Sequence, residues 1–246
     1  MHLFLTSSPC DDCVPEGVDL PCIFFEKNDF VLRLKDRVRP DANLLVIAAT
    51  PDDYDLNDEM TQTFAGCFEY HGMMLASVNL CDERTQDNVE ELVANSDIIV
   101  IGGGHVPTQN RFFARLGLKN LLRGYDGVVM GISAGSMNCA SIVYAQPECP
   151  GESLDPNYRR FIPGLGLTDV MILPHYQKVY DMILDGKRLY EDITYADSFG
   201  RKFIAIPDGS YVLVEGGRKI LLGEGYLVTN GKIKKISCDG DFTPLY

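Results

Sequence analysis

Short apolar runs recur along the chain, separated by longer stretches whose apolar residues fall at helical spacing. The runs are His2 to Thr6, Leu44 to Ala48, Met73 to Val78, Asp97 to Ile101, Gly127 to Ile132, Val170 to Leu173 and Phe203 to Ile206. Between them, roughly 56–71, 86–95, 107–122 and 180–196 read as helices. In the third of these, Phe112, Phe113, Leu116 and Leu121 fall on one buried face. This alternation predicts an α/β fold: a mostly parallel central sheet with helices on both faces, in three layers. After Pro207 the pattern changes to short alternating strands punctuated by Gly216-Gly217, Gly223, Gly225 and Asn230-Gly231. Those read as antiparallel hairpins that extend one edge of the sheet. With no repeat, linker or low-complexity segment, residues 1–246 are expected to form a single domain.

Composition narrows the partners. Apolar residues make up 46% and charged residues 23%, as in a globular protein with a substantial core. The net charge of −13 disfavours nucleic acid and anionic membrane as partners, but leaves room for a local basic pocket. No apolar run is long enough to span a bilayer. The opening MHLFLTSSPC lacks a basic leader and reads as the first strand, so a cytoplasmic location is expected, with the chain a monomer or homodimer. Eight cysteines are scattered, and reduced thiols are expected. Cys10 and Cys13 form the only close pair, and two intervening aspartates work against a reactive thiolate. Cys22 would add a third zinc ligand, but no fourth falls at a familiar spacing, so no metal site is expected.

The chemistry gathers at Gly131-Ile132-Ser133-Ala134-Gly135, a G-x-S-x-G turn between a convincing strand and a run of small residues. Such a turn presents the serine hydroxyl at the carboxyl edge of the sheet and aims the Ala134 amide at a developing oxyanion. Serine needs a base, and the chain has four histidines. His2 opens a strand and His71 closes a helix, whereas His105 and His175 each follow a buried strand and so reach the same edge as Ser133. Gly102-Gly103-Gly104 ends another strand there. Its amides could converge on an anion, or the glycines could simply make a tight turn. His105-Val106-Pro107 follows where a phosphate-binding loop would need Lys and then Ser or Thr.

The segments IGGGH (101–105), GISAGSM (131–137) and LPHY (173–176), with LFLTSS near the start and IPDGSYVLV (206–214), resemble the peptidase E and cyanophycinase family of serine peptidases. The resemblance implies a glutamine amidotransferase-like fold with serine in place of the nucleophilic cysteine. It implies Ser133 as nucleophile, His175 as general base, and an acid fifteen residues after the serine, here Glu148, with Asp208 as its competitor. The oxyanion hole would be the amides of Gly104 and Ala134. His105 stands where the family often has asparagine, and would border the substrate. An acyl-enzyme mechanism without metal or organic cofactor follows, acting on a short peptide such as an N-terminal aspartyl dipeptide. That substrate calls for a cation, with Arg159, Arg160, Lys178, Lys187 and Arg188 as candidates. The expected signature is Ser133 Oγ about 2.6–3.5 Å from a His175 ring nitrogen.

Three other readings share parts of the pattern. A glutamine amidotransferase would need cysteine at position 133. An α/β-hydrolase esterase or amidase normally carries its histidine near the carboxyl terminus, whereas 71 residues follow His175. A non-catalytic small-molecule binding protein could keep the fold without turnover.

Overall fold

The computed structural model describes residues 1–246. Its main sheet has eight strands, in the order Phe242–Pro244, Arg218–Leu222, Tyr211–Glu215, His2–Thr6, Val128–Ile132, Ile98–Ile101, Ala42–Ile47 and Leu75–Cys81. From His2–Thr6 onward all neighbours are parallel, and the strands before it pair antiparallel. Every residue of Ile98–Ile101 and Val128–Ile132 is buried, which requires cover on both faces of the sheet. Leu3, Leu5, Ile99, Ile101 and Val129 pack against Phe112, Phe113 and Leu118 on one side. On the other, the alternate residues Phe4, Val100 and Met130 meet Phe24, Phe30, Phe64 and Phe68. The result is the expected three layers. No helix is long and apolar enough to cross a membrane.

Two of the predicted strands belong elsewhere. Met171–Leu173 and Lys202–Ala205 are parallel neighbours in a second sheet, completed by Gly225–Thr229 and Lys232–Ser237. The place beside His2–Thr6 in the main sheet is taken by Tyr211–Glu215 instead. The carboxyl-terminal hairpins are therefore divided between the two sheets. A third core group fixes the second sheet, with Leu173, Phe203, Ala205 and Val228 against Val143, Tyr144, Tyr190 and Ile193. Tyr144 stacks on Phe203 with ring centroids 4.5 Å apart.

The helices differ most from expectation in 180–196. Tyr176–Val179 is a short helix, and Ile183–Leu184 then pairs with Lys187–Arg188 in a small hairpin. The turn is Asp185-Gly186, with φ of 52° and 78°. Two consecutive positive φ angles are what a two-residue hairpin needs, and the Asp-Gly chemistry overrides the helical spacing. Helical structure resumes at Leu189–Thr194 as a π-helical segment and continues into Tyr195–Asp197. The predicted helix over 107–122 breaks at Gly117 into Val106–Leu116 and Leu118–Leu121.

Candidate active site

Ser133 ends the strand Val128–Ile132 and begins the helix Ala134–Asn138, with φ 50° and ψ −113°. A non-glycine residue in such a conformation costs on the order of 1–3 kcal/mol and persists only when its surroundings hold it. Here the Ser133 amide donates to Thr6 O and Ser7 O at 3.1 and 3.0 Å, and Ser136 Oγ donates to Thr6 O at 2.7 Å. The helix doubles back so closely that a Cβ on Gly135 would lie 2.2 Å from Ile101 O. Only glycine fits there.

The triple glycine runs beside this turn. A Cβ on Gly103 would stand 3.3 Å from Ser133 Cβ, whereas Gly104 backs onto Ala49. The amides of Gly103 and Gly104 donate to no backbone acceptor, and Ala134 opens its helix with no capping side chain. These N–H groups are left without a partner within the chain's own turn. Gly103 was not singled out in the sequence, and it lies closer to the serine than Gly104.

His105 precedes the helix Val106–Leu116. Its Nδ1 pairs with Thr108 Oγ1 and its Nε2 with Glu152 Oε1, both at 2.7 Å. Glu148 lies 4.0 Å from His105 Nε2 and accepts the Val106 amide at 3.2 Å, and it makes no hydrogen bond to His175. Burial pushes the Glu148 carboxyl up, only partly opposed by the Val106 N–H and the nearby His105.

His175 follows Met171–Leu173 in a left-handed conformation, φ 56° and ψ 31°. Its Nδ1 lies 2.7 Å from Asp208 Oδ1. The Glu148–His175 pairing expected from sequence is thus replaced by Asp208–His175. The reason is topological: Leu173 and Ala205 are paired in parallel strands, so the residues just beyond each strand end emerge side by side. Asp208 also accepts from Ser7 Oγ at 2.6 Å, Gln177 Nε2 at 2.6 Å and Lys178 Nζ at 2.8 Å. Burial alone would raise its carboxyl, but hydrogen bonds from His175, Lys178 and Ser7 outweigh that and hold it well below the usual carboxylate range. With Nδ1 facing a carboxylate, the network leaves Nε2 as the proton-accepting nitrogen.

Ser7 went unrecognised in the sequence. It follows the strand His2–Thr6, parallel neighbour of the Ser133 strand, and its fully buried hydroxyl accepts the His175 amide at 2.7 Å. One side chain thereby joins the main sheet to both members of the His–Asp pair on the second sheet. The expected Ser133–His175 hydrogen bond is not formed: Ser133 Oγ has no hydrogen-bond partner, and His175 spends its ring contacts through Nδ1 on Asp208 and Ser7. Such contacts commonly tighten only when substrate binds. Of the five candidate cations, Lys178 alone reaches this group. Arg160 pairs with Asp197, Arg188 with Asp192, and Lys187 reaches Ser153 O.

A strained serine at a strand-to-helix turn, free amides beside it and a histidine–carboxylate pair nearby define a serine hydrolase of α/β architecture. The chain belongs to peptidase family S51, whose profile matches residues 42–222, and it is a serine-type peptidase. Two solved structures share the fold. One is a peptidase from an acI-B1 Actinobacterium, with 19% identity, a TM-score of 0.64, and coverage of 99% of this chain and 96% of that one. The other is a Listeria monocytogenes EGD-e protein assigned to peptidase E, with 15% identity, a TM-score of 0.57, and coverage of 96% and 98%. No curated protein sequence matches the chain.

Proposed function

We propose that the chain hydrolyses short peptides through an acyl-enzyme on Ser133, with His175 as base and Asp208 as the orienting acid. His175 Nε2 takes the hydroxyl proton as Ser133 Oγ attacks the amide carbon. The Ala134 amide, with Gly103 or Gly104, receives the oxyanion. Asp208 holds the imidazole tautomer and stabilises its cation. His175 then protonates the leaving amine, and water releases the acid product. The observation that carries this reading is the Nδ1–Asp208 contact of 2.7 Å, which points the free nitrogen of the ring away from the acid.

The surroundings suit a peptide with a free amino terminus. Glu148 and Glu152 lie on the side of the glycine loop and His105, where an ammonium group would be welcome. Lys178, beside Asp208, is the one cation placed to meet the carboxylate of an amino-terminal aspartate. A fluorophosphonate probe should label the wild type and not Ser133→Ala; an unlabelled wild type would overturn the reading. In a peptide panel, acetylating the amino terminus should cost about 100-fold or more in kcat/KM, about the loss of one charged contact. Lys178→Ala should raise KM more for Asp-X than for Ala-X dipeptides, over any loss of kcat common to both from the weaker hold on Asp208. Equal losses on both would remove the aspartyl preference from the proposal.

A further inference from the structure

Three thiols far apart in sequence meet on the side of the main sheet that carries the helix Tyr54–Tyr70. Cys10–Asp11 and Ile23–Phe24 form a small antiparallel hairpin in which Cys10 faces Phe24. Strand side chains alternate, so Cys10, Phe24 and Cys22 share one face. Phe24 meets Phe68 of that helix edge-on, with ring centroids 5.1 Å apart, and the Sγ of the adjacent Cys67 lies 3.3 Å from Cys22 O. The sulfurs of Cys10, Cys22 and Cys67 all lie within 4.8 Å of one another. Cys67 is buried, and the other two are half-buried. Cys13, the close sequence neighbour of Cys10, is exposed and outside the group.

Cys81 and Cys139, by contrast, are each buried with no second sulfur beside them.

We propose that Cys10, Cys22 and Cys67 form a three-sulfur site for one thiophilic metal ion, Cu(I). Metal–sulfur bonds of about 2.3 Å put three sulfurs in a plane about 4 Å apart, so the cluster needs only a small contraction. No histidine or carboxylate joins the group. Structural zinc takes four protein ligands, whereas soft thiolates in a three-ligand set select Cu(I). On binding, each sulfur that still carries a proton releases it and forms one bond to the ion, with no change of oxidation state. The ion would clamp the hairpin to the helix. Three residues upstream of Cys10, Ser7 contacts His175 and Asp208, and between them Ser8 O accepts the Gly209 amide at 3.0 Å. Occupancy would therefore steady the loop that reaches the His–Asp pair.

The test is an anaerobic titration of the reduced full chain with Cu(I) against a chromogenic Cu(I) chelator. The chain should retain one equivalent and melt at a higher temperature when loaded. Cys10→Ser, Cys22→Ser and Cys67→Ser should each lower retention at least tenfold and abolish the melting shift. Cys10 and Cys22 are half-buried, so their serine variants are the ones expected to fold normally, as judged by the melting temperature of the metal-free protein. A variant with Cys13, Cys149 and Cys238 all changed to serine should bind as the wild type does. X-ray absorption should show three sulfurs at about 2.3 Å. The site is disproved by the absence of retained copper, by retention that survives Cys22→Ser, or by a nitrogen ligand in the absorption spectrum. Rapid disulfide formation within the cluster without copper retention would equally overturn it.

Discussion

Ser7 and Asp208 share a proton-donating contact of 2.6 Å in a place where neither can turn to water freely. Replacing Ser7 by alanine leaves the His175 amide without a partner and removes one of the two hydrogen bonds to Asp208 Oδ1. The expected loss is about 1–3 kcal/mol of stability, read from urea denaturation. The same change should lower kcat, because the hydroxyl holds both the backbone and the acid of the His–Asp pair. The two acids then separate cleanly. Asp208→Asn should lower kcat by about 10⁴, since an amide imposes the wrong imidazole tautomer. Glu148→Gln, which touches Val106 N and not His175, should change kcat by less than about tenfold while altering KM. A larger kcat loss at Glu148 than at Asp208 would return the acid's role to Glu148.

At the scale of elements, the Ser133 turn is held by close packing of its helix on the sheet. Gly135→Ala drives a methyl against the carbonyl of Ile101, a backbone atom that cannot rotate away. The helix Ala134–Asn138 must then lift, taking the Ala134 amide with it. A loss of about 3 kcal/mol, the upper end for overpacking, should appear as a lowered melting temperature together with lost turnover. The same scale explains what the sequence could reveal. The buried runs at 44–48, 97–101 and 127–132 were legible because continuous Val, Ile and Leu between turn signals leaves few alternatives. Their sheet partners were not, because pairing is non-local, and Met171–Leu173 carries no local mark of belonging to a second sheet. Asp185-Gly186 is a two-residue hairpin signal that the helical reading of 180–196 passed over. Glu148 and Asp208 stayed in competition because only the Leu173–Ala205 pairing brings one of them to His175. Ser7 gave no signal, since a serine after a strand is commonplace until its hydroxyl is seen to bridge two sheets.

For the whole molecule, acid should act through carboxylates of opposite tendency. Asp208 is held low by His175, Lys178 and Ser7 against burial. Glu215 is held low chiefly by Arg37, with His2 adding to it, and Asp192 is lowered to about 2 by Arg188. A carboxyl whose folded value lies below its unfolded value, about 3.9 for Asp and 4.3 for Glu, stabilises the fold above that pH. That contribution is lost as the pH falls toward the folded value. Glu148 runs the other way: raised by burial, it penalises the fold while charged, and the penalty lifts as the pH falls from neutral toward the unfolded value. Lessening the charge of −13 works in the same direction over that interval. Urea midpoints should therefore hold or rise from pH 7 to about 5 and drop below about 4. Glu148→Gln should flatten the first limb. Asp208→Asn should be less stable than wild type at pH 7, and the gap between the two curves should begin to narrow below about pH 4 and close only as the pH approaches the low folded value of Asp208. Curves that stay parallel across the acid limb would mean that Asp208 does not carry the charge that couples the two sheets.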